Sequence, residues 1–171
     1  SRFEGTMCLS EPQAGTSLTD ITTKAVFTGN IDPELGAEYK IKGTKMWITG
    51  GDHDASEHII HSLLAKIEGD GAGGTKNIGN FIIPKYHVNP DGSRGARNDV
   101  YCAGLNNKMG QHSSINTVMN YGENDECIGY LLGETDKSGK QGSGKGMENM
   151  WHMMNEVRIA VGFGTVVKGY S

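Results

Sequence analysis

The sequence predicts a mainly β fold that is followed by a single C-terminal α-helix. Most of the chain consists of short runs in which apolar and polar residues alternate, as they do in half-buried strands. Glycine contributes 26 of the 171 residues, and clusters of Gly, Pro, Asn and Asp separate the runs as turns do. Near the end of the chain the apolar residues recur every three or four positions, which is the period of a helix.

The expected strands follow one another from Met7 onward. The first begins at Met7 and ends where Glu11 and Pro12 start a loop of small residues. Complete or nearly complete alternation predicts strands at residues 23–29, 38–44 and 45–50, and residues 115–122 and 127–133 supply two more. Residues 57–68 and 78–85 are more continuously apolar, which suits strands covered on both faces. About seven or eight such strands are typical of a β-sandwich or a β-barrel.

Composition divides the chain into three parts. Residues 1–133 hold the expected strands as one β domain, and residues 134–146 form a polar, glycine-rich linker. Residues 147–171 are predicted to form an amphipathic helix, with apolar residues at positions 147, 150, 151, 154, 157 and 161. Beyond Ile159 the pattern is apolar on every side, which a helix tolerates only when other elements cover it. We therefore expect the chain to end inside the first helix of an adjoining helical domain.

Charge, cysteine content and histidine spacing exclude several classes of function. The net charge of −4 gives no footprint for nucleic acid or an anionic membrane, and no apolar run approaches ~18 residues. Cys8, Cys102 and Cys127 lie far apart without a Cys-x-x-Cys pair, which disfavours disulfides and thiolate zinc sites and favours a reducing compartment. His58 and His61 are three positions apart on an expected strand and therefore point to opposite faces, so we predict no metal site.

The segment KMWITGG, residues 45–51, places an aromatic and a hydroxyl two positions apart on a strand. Strict alternation puts Trp47 and Thr49 on one face and Met46 and Ile48 on the other, with about 7 Å between residues i and i+2. An indole there can cover one end of a flat heteroaromatic ring while the hydroxyl reaches a polar atom of that ring. Taken alone, the same spacing also fits a tryptophan packed in a core with a threonine at the end of its strand.

The loop SEPQAGTS, residues 10–17, combines a proline, a glycine and three hydroxyls. Gly15 lets the backbone bend closely around a ligand, and Ser10, Thr16 and Ser17 offer hydroxyl groups. Successive exposed N–H groups in such a turn can bind carbonyl oxygens or anions. An ordinary turn between two strands fits the same residues.

Taken together, five segments in order and spacing resemble the acyl-CoA dehydrogenase family: MCLSEPQAGTS, KIKGTKMWITGG, FIIPK, NNKMGQHSS and NEVRIAVG. The resemblance runs from residue 5 to residue 162, and the loops around VNPDGSRGARNDVYC are similar to those of the larger bacterial-type members. It implies the family's middle domain, a β-barrel of two packed sheets, followed by the beginning of the C-terminal helical domain.

The resemblance also implies roles for individual residues. It implies flavin contacts along two segments, at Met7, Leu9, Ser10, Gly15 and Thr16 in the first and at Trp47, Ile48 and Thr49 in the second. Contacts to acyl-CoA are implied for Thr16, Asn155 and Arg158. Many relatives have Gly at position 13 and Asp at position 17, where this chain has Gln and Ser, so no contact is carried over there.

The activity implied by the resemblance is oxidation of an acyl-CoA to the trans-2-enoyl-CoA. FAD would accept a hydride from Cβ, a carboxylate would remove a proton from Cα, and electron-transfer flavoprotein would accept the electrons. We assign no catalytic residue in this chain, because Val157 stands where one branch has its base and Glu156 is rotated by about 100° around the helix. A homo-oligomer in the bacterial cytoplasm is implied as well, and this chain alone is expected to be inactive.

Three alternatives remain open at the level of sequence. An acyl-CoA oxidase would share the domain but return its electrons to O2. Residues 139–146, GKQGSGKG, nearly match a phosphate-binding loop, which would make the chain a nucleotide-phosphate binding module. However, Gly146 stands where such a loop has Ser or Thr. A β-barrel without a ligand is the third alternative.

Overall fold

A computed structural model of the chain describes residues 2–69, 73–136, 138–139 and 145–170. Within these residues the fold is mainly β with one C-terminal helix, as predicted. The strands are β1 Phe3–Cys8, β2 Lys24–Asp32, β3 Gly36–Thr49, β4 His58–Ile67, β5 Ile78–Pro84, β6 Tyr86–Val88, β7 Arg94–Arg97, β8 Val100–Leu105, β9 Asn116–Tyr121 and β10 Ile128–Leu131. The helix α1 spans Lys145–Gly169, and a short 3-10 helix spans Leu18–Asp20.

Eight strands form one sheet in the order β1-β4-β5-β10-β3-β9-β8, and β2 pairs with both β3 and β4. The pairings β2–β3, β3–β10, β10–β5, β5–β4 and β4–β2 therefore close into a ring. Pairing is parallel between β1 and β4 and between β2 and β4, and antiparallel in the other pairs of this sheet. Strands β6 and β7 form a separate hairpin. That these strands form a barrel of two packed sheets stays a prediction.

The main core lies on the inner side of the ring and follows the alternation of its strands. Leu63, Ala65 and Ile67 of β4 point into this core, together with Phe81 and Ile83 of β5. Tyr39 of β3 and Tyr121 of β9 are fully buried there as well, so aromatic side chains fill much of its volume.

Helix α1 covers the outer face of β4 and β5 at one end. Met150 packs in a second cluster with Ile21, Leu64 and Ile78, and Leu9 is among the half-buried residues against it. Because Leu63 and Leu64 are both buried, β4 is covered on both faces, as its continuous apolar run predicted.

Beyond residue 154 the side chains of α1 are mostly exposed, including large apolar ones: Val157, Ile159, Val161, Phe163, Val166 and Val167. This agrees with the apolar pattern of the sequence, and the adjoining helical domain stays a prediction. Residues 137 and 140–144 of the predicted linker, and with them most of the glycine-rich phosphate-loop candidate, lie outside the described residues. Helix α1 is not apolar enough along its length to be a candidate membrane span.

The structure differs from the sequence prediction in two places. The two strands expected at residues 38–44 and 45–50 are one continuous strand, β3. The stretch predicted as long loops contains the β6–β7 hairpin and strand β8. The hairpin is stabilised by stacking: the guanidinium carbons of Arg94 and Arg97 lie 4.5 and 5.5 Å from the ring centroid of Tyr86. Because these contacts are made by polar residues, the two strands of the hairpin lack the alternation of apolar residues from which a strand is predicted.

Candidate functional site

A β-bulge in β3 determines how the KMWITGG segment presents its side chains. The register between β3 and β9 shifts between Lys45 and Ile48, so that Met46 and Trp47 together oppose a single residue of β9. Trp47 has φ 63°, a left-handed conformation that costs a tryptophan about 1–2 kcal/mol. Trp47 is 54% exposed, Thr49 is exposed, and Lys45 and Ile48 are buried.

The bulge changes one part of the sequence-based expectation. Lys45 points inward in phase with Tyr39 and Ile41, and strict alternation would turn Trp47 and Thr49 inward as well. The extra residue of the bulge reverses the facing between Lys45 and Trp47. Trp47 and Thr49 are therefore exposed, as the functional hypothesis requires, because of the bulge and not because of alternation alone.

The loop of residues 9–17 lies beside this bulge. The backbone carbonyl of Ser10 accepts a hydrogen bond of 2.9 Å from the amide of Met46. The hydroxyl of Thr6 in β1 donates to the carbonyl of Thr49 at 2.6 Å. The structure therefore brings together the two segments that the sequence singled out, through the carbonyls of Ser10 and Thr49 and donors of Met46 and Thr6.

Gly15 closes the loop on itself. The amides of Glu11 and Gly15 each donate to the other residue's carbonyl, at 3.0 and 2.8 Å. Gly15 has φ 55°, and a Cβ added there would meet no atom within 4 Å, so backbone conformation rather than space favours glycine. Thr16 is exposed next to this turn, and the hydroxyl of Ser17 donates to the carboxylate of Asp20 at 2.6 Å.

A buried ion pair joins the loop to the bulge, and sequence reasoning missed it. The side chains of Glu11 and Lys45 are both 0% exposed, and Lys45 Nζ lies 2.9 Å from Glu11 Oε1. Burial opposes ionisation of Glu11, but the hydrogen bonds from Lys45 and from the Thr22 amide outweigh it and lower the pKa of Glu11 to about 2. Burial lowers the pKa of Lys45, and the contact with Glu11 opposes this shift.

The other neighbour of Thr49 is a polar recess of about 330 Å³. Asn116 Nδ2 donates to the Thr49 hydroxyl at 3.3 Å, and Asn106 Nδ2 donates to Asn116 Oδ1 at 2.8 Å. The recess is lined by Leu105, Asn106, Asn107, Lys108, His112, Ser114, Ile115 and Asn116. The segment NNKMGQHSS, part of the family resemblance, therefore lies next to the WIT strand.

The remaining predicted site residues are placed differently from one another. Met7 is half-buried in β1, and Leu9 packs toward the α1 cluster while its carbonyl accepts from Lys45 Nζ at 3.1 Å. Ile48 is buried and its carbonyl accepts a 2.9 Å hydrogen bond from the Thr117 hydroxyl, so its side chain cannot contact a surface ligand. A flavin contact of Ile48 stays a prediction that only its backbone could fulfil.

Asn155 and Arg158 are exposed on α1 and line a recess of about 400 Å³ with Ile159. Within the part of the chain that the structure describes, no hydrogen bond or ion pair joins them to residues 9–17 or 47–49. Their role at an acyl-CoA site stays a prediction. Lys145, the lysine of the phosphate-loop candidate, forms an ion pair of 2.6 Å with Glu148.

A second buried polar cluster lies in the main core. The hydroxyl of Tyr121 lies 3.1 Å from both Cys8 Sγ and His61 Nδ1. His61 Nε2 is buried with no hydrogen-bond partner. Burial lowers the pKa of His61 to about 4 and raises the pKa of the Cys8 thiol to about 12. Among the described residues no group of three or more His, Cys, Asp or Glu side chains could hold a metal ion.

The buried histidine makes a pH dependence of stability expected. His61 has a pKa of about 4 when folded and 6.5 when unfolded, so below pH 6.5 the unfolded state binds the proton more readily. Neutral His61 makes its full contribution to the free energy of unfolding above pH 6.5, and this contribution is lost as the pH approaches 4. Between pH 7.5 and pH 5 the free energy of unfolding should therefore fall by about 2 kcal/mol. Urea unfolding at both values measures this. His61→Gln should make the free energy of unfolding less dependent on pH, and the exposed control His112→Gln should not. If His61→Gln keeps the pH dependence of the wild type, His61 is not its source.

Comparison with known proteins shows which proteins this chain resembles in sequence. No protein-family model matches the chain. The chain is 46% identical over 158 residues, 92% of its length, to a butyryl-CoA dehydrogenase of Syntrophomonas wolfei. The chain belongs to the acyl-CoA dehydrogenase family. It spans about a quarter, 24%, of the length of that relative.

Solved structures of the acyl-CoA dehydrogenase family show the same fold. Caenorhabditis elegans ACDH-11 in complex with C11-CoA matches 91% of this chain and 22% of its own, with a TM-score of 0.63 and 21% identity. The acyl-CoA dehydrogenase of Bacillus anthracis complexed with FAD matches 88% of this chain and 20% of its own, with a TM-score of 0.54 and 20% identity. The family resemblance inferred from the five sequence segments is confirmed.

Proposed function

We propose that the protein containing this chain is an FAD-dependent acyl-CoA dehydrogenase that converts an acyl-CoA to the trans-2-enoyl-CoA. The observation that carries the proposal is the exposed Trp47 in a left-handed bulge, beside Thr49 and hydrogen-bonded through its neighbour Met46 to the hydroxyl loop. A relative of 46% identity is named butyryl-CoA dehydrogenase, and a structural neighbour was solved with FAD. The first name supports an acyl-CoA as the substrate class for this chain, and the second supports FAD as the cofactor.

The exposed groups on these two segments fit an isoalloxazine. The indole of Trp47 offers an apolar face of the right size, the hydroxyls of Thr49 and Ser10 offer polar contacts, and Thr16, next to the turn at Gly15, offers a further hydroxyl. FAD supplies the hydride-accepting chemistry of the reaction when it is bound. In this proposal Trp47 and Thr49 bind and orient the ring, and Thr16 contacts the thioester arm of the substrate.

We further propose the arrangement of the whole protein. Residues 1–133 are the middle domain, in which the ring of strands is a barrel; residues 134–146 are the linker, and residues 147–171 begin the C-terminal helical domain. Asn155 and Arg158 border the acyl-CoA channel, and the catalytic carboxylate belongs to a part of the protein outside this chain. Electron-transfer flavoprotein as acceptor, a homo-oligomer and a bacterial cytoplasmic location complete the proposal.

Flavin retention by the full-length protein tests this function. Trp47→Ala is expected to weaken FAD binding about tenfold, because stacking of an aromatic ring contributes about 1.4 kcal/mol. The absorption spectrum of the purified protein and a titration with FAD measure the change. The matched control is Trp151→Ala, since Trp151 on α1 is 49% exposed against 54% for Trp47.

Two outcomes would contradict the proposal. Wild-type protein that neither contains nor binds FAD would exclude the flavoenzyme, and equal FAD affinity in Trp47→Ala and wild type would exclude the assigned site. Acyl-CoA added to the holoenzyme should reduce an electron-transfer dye; stoichiometric release of hydrogen peroxide instead would establish the oxidase.

A further inference from the structure

The buried pair of Glu11 and Lys45 is coordinated far beyond what a single ion pair needs. Glu11 Oε1 accepts from Lys45 Nζ at 2.9 Å and from the Thr23 amide at 3.1 Å. Oε2 accepts from the Thr22 amide and from Gln13 Nε2, both at 2.6 Å. The hydroxyls of Thr22 and Thr23 also donate to this carboxylate. Six donors thus surround one carboxylate that has no exposed surface.

These donors come from three separate segments of the chain. Glu11 and Gln13 lie in the hydroxyl loop, Thr22 and Thr23 precede β2, and Lys45 lies in β3 immediately before the bulge. Lys45 Nζ also donates to the Leu9 carbonyl at 3.1 Å. The next amide, that of Met46, donates to the Ser10 carbonyl at 2.9 Å. Residues 9–11 are therefore joined to residues 45–46 by consecutive contacts.

A stable core does not by itself require a buried ion pair at this place. Replacing a buried ion pair with well-packed apolar residues of similar volume is often neutral or stabilising, because both charges lose their hydration. An apolar pair, however, would not fix the orientation of the two side chains as hydrogen bonds between charged groups do. Lys45 reaches Glu11 only when its side chain points inward, as those of Tyr39 and Ile41 do earlier in β3, and the bulge at Met46–Trp47 then turns Trp47 outward.

From these observations we propose that the Glu11–Lys45 pair is a positioning device that fixes the bulge, and with it the outward orientation of Trp47 against the hydroxyl loop. Strained backbone persists only where surrounding contacts determine it, and Trp47 is in such a conformation at φ 63°. Without the pair, β3 can relax to regular pairing with β9, which changes the orientation of Trp47. The consequence for FAD binding rests on the proposed function, whereas the consequence for the bulge does not.

The test compares a charge-free pair with the native one in the full-length protein. Lys45→Met and Glu11→Gln each leave one polar or charged partner buried, so the double variant Glu11→Gln/Lys45→Met is the principal one, since it removes both charges together. The control is Lys42→Met, which removes an ion pair of 2.6 Å with Asp125 from the same strand, where both side chains are exposed.

Two readouts report on the bulge without relying on FAD. When Trp151 and any tryptophan outside this chain are replaced with phenylalanine, the emission of Trp47 and its quenching by iodide report its surroundings. Hydrogen exchange reports whether the Met46 amide keeps its bond to Ser10. We expect the double variant to remain folded, to exchange the Met46 amide at least tenfold faster, and to shift the Trp47 emission, while Lys42→Met leaves both unchanged.

Retention of FAD separates the inference from the proposed function. We expect at least tenfold weaker FAD binding in the double variant and wild-type binding in Lys42→Met. A folded double variant with native Met46 exchange and native Trp47 emission overturns the positioning role, whatever its FAD content. Altered exchange and emission in a protein that never binds FAD supports the positioning role and overturns the flavin site. If the double variant does not fold, the same readouts on Lys45→Arg decide, because arginine keeps the charge: native exchange supports the inference and fast exchange overturns it.

Discussion

Replacing Phe81 with alanine is expected to lower the free energy of unfolding by about 3–5 kcal/mol. Phe81 is fully buried at the centre of the main core and makes an edge-on contact with Tyr39 at a centroid distance of 5.1 Å. Its ring occupies space that Gly79 leaves open, since a Cβ on Gly79 would lie 2.8 Å from Phe81 Cε2. The cavity left by alanine cannot close easily, because both Phe81 and its cross-strand neighbour Leu131 belong to the ring of strands.

Urea unfolding followed by tryptophan fluorescence measures this loss. The matched control is Phe3→Ala in β1, where the phenylalanine is 45% exposed and stacks on His58 at 4.6 Å. This control should cost about 1 kcal/mol, since Phe3 is already 45% exposed and its removal uncovers little buried apolar surface. Similar losses for the two variants would mean that Phe81 is not at the centre of a rigid core.

Gly146→Ala is expected to separate α1 from the sheet at a cost of about 1–3 kcal/mol. A Cβ at Gly146 would collide with the carbonyl oxygen of Ile78 and lie 2.7 Å from the Cα of Gly79. Both are backbone atoms of β5, which cannot move aside as a flexible side chain would. Asn155 and Arg158 on α1 would move with the helix, so the change should also reach the proposed acyl-CoA channel.

Gly164→Ala is the control for this prediction. Gly164 lies in the same helix, and a Cβ there would meet no atom within 4 Å. Alanine should therefore stabilise the helix by up to about 1 kcal/mol through its higher helix propensity. Hydrogen exchange of the α1 amides measures both effects, which should have opposite signs. Slower exchange in Gly146→Ala would contradict the close packing of α1 on β5.

The strands that the sequence predicted well are those whose packing is visible in local pattern. Residues 57–68 and 78–85 were expected as strands covered on both faces, and they form β4 and β5 between the core and α1. The helix predicted from residue 147 begins at Lys145. In each case apolar residues close together in the sequence mark the buried surface, as a continuous run in the two strands and as a helical period in α1.

The features that the sequence did not predict depend on partners far away in the chain. Nothing near Lys45 indicates that it is buried, because its partner Glu11 lies 34 positions earlier. The bulge that follows it and turns Trp47 outward is likewise set by pairing with β9. The β6–β7 hairpin is short and polar, and Tyr86 stabilises it through arginines of the facing strand. Contacts of these kinds leave no periodic signal in a single sequence.

The parallel pairing of β1 with β4 has a consequence for how the chain acquires its structure. Phe3 lies opposite His58, and the ring of strands closes only when β10, near residue 130, pairs with β3 and β5. Such long sequence separations slow folding, because loop entropy is lost before the distant contacts form. On the ribosome, the early strands must therefore wait with unpaired edges until nearly all of the β portion has emerged. Truncated translation products would expose such unpaired edges, which favour aggregation.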